Sequence, residues 1–339
     1  EDAKPDGNPT KLSTSVGFIN ADDMWALGYT GQGQTIAVID TGIKVNHTNF
    51  ATAPQDPHFD AAGIQSVLNR YDLCAEERYN GTLTGATLYH SAKLPFTFNY
   101  YAGNTDVSHA NAGSDHGTHV SSIAAGCDSS SRGVAYNAQI ISMQVFQNGG
   151  AAWTEILAAL EDCAWLEVDA LNMSLGSDNG FTQGEADMEE VFALLTAHGV
   201  NCAVAAGNSG TAGSGNNYGS KQPTFNMDNG VVASPSTLGG SLSVAASSNS
   251  SSATPTSYSS WGTTADLSIK PEIMAPGDNI RAATDSQYSY SNYGTKSGTS
   301  MASPHIAGSM VLVNQYVNTA FPSLSEQARM EMVNTLLMS

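Results

Sequence analysis

Residues 298–308 read Gly-Thr-Ser-Met-Ala-Ser-Pro-His-Ile-Ala-Gly. Gly298 gives a flexible approach to one hydroxyl, Ser300, in the first turn of an expected helix. There the unbonded backbone N–H groups and the positive end of the helix dipole sit beside its oxygen. A nucleophile needs that setting if an oxyanion is to form next to it. The same residues also meet the ordinary requirements of a helix start. Ser, Thr and Gly cap helices, and Pro304 reads as a first-turn proline. Taken alone, the segment is a helix start; three other clusters change its meaning.

Residues 35–43, Thr-Ile-Ala-Val-Ile-Asp-Thr-Gly-Ile, begin with a short unbroken apolar run that Asp40 ends. Such a run suggests a strand buried on both faces of a parallel sheet, and carboxyl ends of such strands carry active sites. Residues 114–120, Ser-Asp-His-Gly-Thr-His-Val, read as the start of a second helix, with His116 and His119 on one face. A zinc pair there lacks the intervening Glu, and no cysteine pair has metal spacing. Residues 200–210, Val-Asn-Cys-Ala-Val-Ala-Ala-Gly-Asn-Ser-Gly, describe a strand that ends in Gly207 and Asn208. A side-chain amide at that point is placed to donate to a developing oxyanion, although Gly-Asn-Ser-Gly is also ordinary turn chemistry.

The chain order is therefore Asp40, His116, Ser300. Chymotrypsin-type enzymes run His, Asp, Ser and α/β-hydrolases run Ser, acid, His, whereas subtilisin-type enzymes run Asp, His, Ser. On Asp40-Thr-Gly, His116-Gly-Thr-His, Ala206-Gly-Asn208 and Gly298-Thr-Ser300-Met-Ala-Ser-Pro, the chain resembles the subtilases, the subtilisin-like serine peptidases. The resemblance runs from about Ala21 to Leu337. It implies an α/β fold, a mostly parallel sheet with helices on both faces, in one domain spanning 1–339. It also implies a secreted or cell-wall-attached endopeptidase in which Asp40 orients His116, His116 is general base and acid, and Ser300 is the nucleophile. Asn208 and the Ser300 N–H would form the oxyanion hole. Ser174, Leu175 and Gly176 would pair with substrate backbone, and Gly207 would wall the primary specificity pocket. The runner-up is a catalytically silent adhesion or binding module on the same fold.

Within the family, Tyr258-Ser-Ser-Trp-Gly262, Ile269-Lys-Pro-Glu-Ile-Met-Ala-Pro-Gly277 and Leu336-Leu-Met-Ser339 are similar to lactocepin-type cell-envelope proteinases. Those proteins usually carry a protease-associated domain between the Asn and the Ser. Here that gap is 92 positions (300 − 208), too short for one, and a Ser-rich stretch at 247–257 reads as a flexible linker where the insert would stand. The resemblance also implies polypeptide substrates and an N-terminal propeptide removed on maturation. The polar start at Glu1 is expected of a chain that has lost its signal and propeptide. No cofactor is required for this chemistry. A structural calcium ion is common in the family, but Asn49 stands where an Asp ligand is usual and the loop 127–133 is short.

The formal net charge is −19, with 12 Lys and Arg against 31 Asp and Glu. Nucleic acid and anionic membranes are poor partners for such a chain, and no apolar run approaches the 18 residues of a membrane span. Expected elements are strands at 35–39, 140–145, 170–173, 200–206 and near 242–245. Helices are expected at 114–125, 154–166 and 185–197 and from Ser300 and Ser325. Cys163 and Cys202 fall in core elements and read as free thiols; Cys74 and Cys127 are left open. Asn46, Asn80, Asn172 and Asn249 match the glycosylation pattern, with Asn172 on an expected buried strand. Residues 209–234, with Tyr218, Lys221 and Asp228, are a candidate part of the cleft.

Overall fold

Successive residues of the first long strand face two different cores. Ile36 and Val38 pack into one, Ala37 and Ile39 into the other, and all four are buried. A strand apolar at every position belongs inside a sheet covered on both faces. The computed structural model describes residues 10–109, 112–177, 185–210, 232–248, 253–264, 266–285 and 291–339. Among them, the central sheet has strands β1 (Thr35–Asp40), β2 (Phe96–Asn99), β3 (Gln139–Gln144), β4 (Ala170–Met173), β5 (Asn201–Ala205), β6 (Leu242–Ser247) and β7 (Ile273–Pro276). Their spatial order is β7-β6-β5-β4-β1-β3-β2, and every neighbouring pair is parallel.

Helices cover both faces. On the Ile36 side lie α1 (His116–Ala125), the long α4 (Thr299–Ala320) and α5 (Glu326–Leu337). On the Ala37 side lie α2 (Trp153–Trp165) and α3 (Ala186–Ala197). In α2 the buried Ile156, Leu160 and Ala164 recur at helical spacing, as the sequence predicts. The chain leaves β1 toward β2 and β3, then crosses to β4 on the other flank. The crevice between β1 and β4 is therefore the switch point, the usual place for a ligand in an open parallel sheet.

Two expectations need correction. Pro304 is not in the first turn: α4 begins at Thr299, so the proline stands in its second turn. The described ends of the Ser-rich stretch are also not a free linker. Ser247 bridges Pro255, Ser248 N–H donates to the Thr254 carbonyl at 2.9 Å, and Thr256 N–H donates to the Ala246 carbonyl at 3.0 Å. Residues 249–252 and 211–231, including Asn249, Tyr218, Lys221 and Asp228, lie outside the described residues. No described helix is long and apolar enough to cross a membrane.

The interior of α4 makes stability depend on pH. His305 is fully buried, its Nδ1–H donating to the Met301 carbonyl at 2.8 Å and its Nε2 lying 2.8 Å from Ser15 Oγ. Burial pulls its pKa from the ordinary 6.5 down to about 4, outweighing the opposing Met301 bond. As pH falls, the unfolded chain takes up this proton before the folded one, so stability falls with pH. The contribution is intact above pH 6.5 and erodes down to about 4, by an amount on the order of 3 kcal/mol. Urea unfolding of wild type and His305→Gln between those limits should show a shallower pH slope in the variant. Equal slopes would remove His305 as the cause.

Candidate functional site

Three adjacent parallel strands deliver their carboxyl ends to one edge of the sheet. Asp40 closes β1, Ser174 follows β4, and Asn208 lies just beyond β5. The helices α1 and α4 begin above the same edge, α1 at His116 and α4 at Thr299, so that His116 and Ser300 lie in their first turns. Residues separated by up to 260 positions (300 − 40) in the sequence thus share one crevice.

Asp40 is buried, and both its carboxylate oxygens face His116 Nδ1, at 2.8 and 3.0 Å. Thr41 N–H donates to Asp40 Oδ1 at 2.7 Å, and Thr41 Oγ1 accepts from Gly117 N–H at 2.9 Å. The turn after β1 and the first turn of α1 are therefore stitched together. With Nδ1 donating to the carboxylate, Nε2 is the nitrogen left to take a proton. Gly117 is required by this close approach. A Cβ there would strike the Gly42 carbonyl and stand 3.2 Å from Asp40 Cβ. Gly117→Ala is expected to push α1 off the strand end, destabilising the fold by about 1–3 kcal/mol. Activity at saturating substrate should fall at least tenfold. A denaturation curve and kcat read both; an unchanged kcat would show that the Asp40–His116 contact tolerates the shift.

The misplaced proline explains how Ser300 is held. A residue at 304 with an N–H would donate to the Ser300 carbonyl; Pro304 has none. That carbonyl instead accepts from Ser174 Oγ at 2.8 Å. Ser174 Oγ in turn accepts from Asn172 Nδ2 at 3.0 Å, and Asn172 Oδ1 accepts from Ser303 Oγ at 2.8 Å. Asn172 is fully buried, so its glycosylation match is a core amide rather than a surface acceptor, while Asn46 and Asn80 are exposed. The Ser300 hydroxyl donates to the Ser174 carbonyl at 3.2 Å.

Asn208 is oriented by the residue before Ser300. Its Oδ1 accepts from Thr299 N–H at 2.9 Å and from Thr299 Oγ1 at 3.1 Å. That assigns the amide: the oxygen end is engaged, and Nδ2 is the end available to donate. Thr299 Oγ1 also accepts from Gly207 N–H at 3.1 Å. Gly298 has φ +152°, and a Cβ on it would stand 3.3 Å from Asn208 Nδ2 and 3.7 Å from Ser300 N. A side chain at 298 would therefore crowd the Asn208 amide, and the positive φ favours glycine there.

Leu175 is half-buried and Gly176 exposed, next to the buried Ser174. Ser177 and Ser234 exchange backbone hydrogen bonds at 2.9 Å each. A Cβ on Gly176 would lie 3.0 Å from Ala233 Cβ, and one on Gly207 would lie 3.2 Å from the same atom. The Ser174–Gly176 and Gly207 segments therefore flank Ala233 from two sides.

A model of the subtilase family matches residues 31–338. The chain belongs to the subtilase family. It is similar to the PII-type proteinase of Lacticaseibacillus paracasei, at 32% identity over 243 residues. That match covers 68% of this chain and 12% of the proteinase, so this subtilase chain spans a small part of that relative's length. It is 29% identical over 314 residues to Subtilisin DY of Bacillus licheniformis, covering 91% of this chain and 85% of the other. The crystal structure of a cold adapted subtilisin-like serine proteinase superposes with a TM-score of 0.57 at 23% identity, over 90% of this chain and 82% of that one. That likeness bears on the fold.

Asn49 stands where the family resemblance implies a calcium-ligating Asp. Asn49 is neutral and buried; its Nδ2 donates to the Ser131 carbonyl at 2.9 Å and its carbonyl accepts from Cys127 N–H at 2.8 Å. Asn49 thus ties down the loop that follows α1. Among the described residues no group of three or more His, Cys, Asp or Glu is placed to hold a metal. His116 and His119 diverge, one to Asp40 and the other to the Ile280 carbonyl at 3.0 Å. Cys163 and Cys202 are buried thiols, and Cys74 and Cys127 are likewise unbonded to sulfur.

Proposed function

We propose that this subtilase domain is a serine endopeptidase working through Asp40, His116 and Ser300. The observation that carries the reading is the paired contact of His116 Nδ1 with both oxygens of the buried Asp40 carboxylate. It fixes the tautomer in which Nε2 is basic, and the carboxylate stabilises the imidazolium that forms on proton transfer. The Ser300 hydroxyl leaves the Ser174 carbonyl and attacks the scissile carbonyl as its proton passes to His116 Nε2. The oxyanion then lies between the Ser300 N–H and Asn208 Nδ2. His116 returns the proton to the leaving amine, and water, deprotonated by His116, hydrolyses the acyl-enzyme. Ser174, Leu175 and Gly176 present backbone to an extended substrate. Gly207 and Ala233 line the slot for the side chain before the scissile bond.

Polypeptides are the proposed substrates, with the site outside the cell or at its wall and a propeptide cleaved on maturation. The relatedness to the PII-type proteinase and to Subtilisin DY supports this reading. The experiment is stopped-flow hydrolysis of an activated ester followed by sequencing of the products cut from a peptide library. A burst near one equivalent per chain, with internal peptide bonds cleaved, is expected. A folded protein with neither burst nor cleavage would leave the silent binding module as the better reading.

A further inference from the structure

Helix α1 is laced to a hairpin outside the central sheet. The hairpin strands, Ile280–Ala283 and Tyr293–Lys296, run antiparallel. Positions 115, 119 and 122 recur at helical spacing, and each meets this hairpin. Asp285 N–H donates to Asp115 Oδ2 at 2.9 Å, and Lys296 Nζ lies 3.1 Å from Asp115 Oδ1. His119 Nε2 donates to the Ile280 carbonyl at 3.0 Å and faces the Gly294 carbonyl at 3.3 Å. Ser122 Oγ accepts from Ala283 N–H at 3.0 Å.

The first of these contacts is unusual. Asp115 occupies the N-cap position of α1 but makes no capping bond. An Asp there ordinarily accepts from the N–H groups of its own first turn. Here the carboxylate reaches sideways to a different element and takes a cation. It is also the residue immediately before His116. The pKa of Asp115 is lowered: burial opposes this, but the Lys296 charge and the Asp285 N–H outweigh it. The charged and titratable groups around His116 come from every neighbouring element. They are Asp40 on β1, Lys44 just after it paired with Asp285, Asp285 and Lys296 on the hairpin, and Asp115 and His119 on α1. His109 in the preceding loop meets Thr118 Oγ1.

We propose that the Asp115–Lys296 pair is a positioning device for His116, the hairpin fixing the first turn of α1 while Lys296 offsets the negative charge beside the base. The proposal rests on the reading of His116 as the general base. Neither residue touches substrate; both act through the imidazole. An uncompensated carboxylate one residue away favours the imidazolium, so removing Lys296 raises the pH at which the base is lost, and removing Asp115 lowers it. For a charge several ångströms off in a partly solvated setting, the shift is about 0.4–1 pH unit in each direction.

The test is the acid limb of the kcat/KM profile in the full chain, for Lys296→Met, Asp115→Asn and Lys296→Arg. Expected are an upward shift for the first, a downward shift for the second, and a wild-type limb for the third. A purely structural role lowers kcat in both charge variants without opposite displacements of the limb. Limbs that stay put or move together would overturn the proposal, whatever happens to kcat. Should a charge-removing variant fail to fold, Lys296→Arg still decides: a displaced limb with the charge retained contradicts the device. An ester burst in wild type separates the two levels. Its absence sinks the base reading itself, whereas a normal burst with unmoved limbs sinks only this pair.

Discussion

Ser300→Ala and His116→Ala should each lower kcat by about five to six orders of magnitude, and combining them should cost little more. The non-additivity is the informative part. On the proposed mechanism every proton that His116 moves serves bond-making or bond-breaking at Ser300, so once either group is gone the other has nothing to work on. Asp40→Asn should cost less, on the order of 10⁴, because the imidazole remains but its Nδ1 loses an ionised acceptor and with it the right tautomer. These magnitudes come from serine peptidases in general, subtilisins included; what the geometry of this chain adds is the ordering. Asp40 is buried and holds Thr41 N–H as well as the imidazole. Its amide substitute would therefore keep the turn and lose the charge. Steady-state kinetics of the single and double variants check this. Additive losses would mean that the residues do not form one unit.

Asn208→Ala should lower kcat by about 10²–10³, with KM nearly unchanged. The figure is one measured within the same family. The KM expectation follows from the donor geometry. Thr299, the residue before Ser300, grips the Oδ1 end of the amide through two bonds and leaves Nδ2 as the donor end, which the proposal aims at the oxyanion. A donor fixed there meets the oxygen of the tetrahedral species better than the planar ground-state carbonyl, so its loss falls on the chemical step. Thr299→Ala should reproduce part of the effect, since Asn208 Oδ1 would lose one of its two donors and Gly207 N–H its acceptor. A raised KM at constant kcat in Asn208→Ala would instead mark it as a substrate-binding residue.

The parts of the fold that the sequence makes legible are those whose residues have one demand. Each of β1, β4 and β5 is apolar along nearly its whole length because each is covered on both faces, and their ends announce themselves with Asp40, Ser174 and Asn208. Edge strands have weaker demands. Phe96–Asn99 alternates over four residues, and Ile273–Pro276 ends in a proline that reads as a breaker but is tolerated at a sheet edge. The helices between 61 and 88 are four to eight residues long, too short to show a period. The hairpin that braces α1 is invisible from its residues, because its partners lie about 160 positions away.

The site follows the same pattern. Among the residues implied by the family resemblance, Asp40 meets His116, Ser300 meets Ser174, and Asn208 meets Thr299 beside Ser300, whereas the residues that brace them carry other local readings. Asn172 carried a glycosylation pattern while in the fold it is a fully buried link between Ser303 and Ser174. Pro304 suited a first turn, and its real consequence, an unclaimed Ser300 carbonyl, appears only once Ser174 is seen to occupy it. Asp115 stands at the start of the helix expected at 114–125 and makes a cross-element ion pair instead of a capping bond. In each case the residue had a common local use. A remote partner overrode that use.

The most direct test is covalent. The full chain, folded and free of propeptide, is treated with a fluorophosphonate, digested, and mapped by mass spectrometry. One adduct per chain is expected, on Ser300, formed by wild type and absent from Ser300→Ala. Stable modification at any other residue, or a folded wild type that takes up none, would contradict the assignment of Ser300 as the nucleophile.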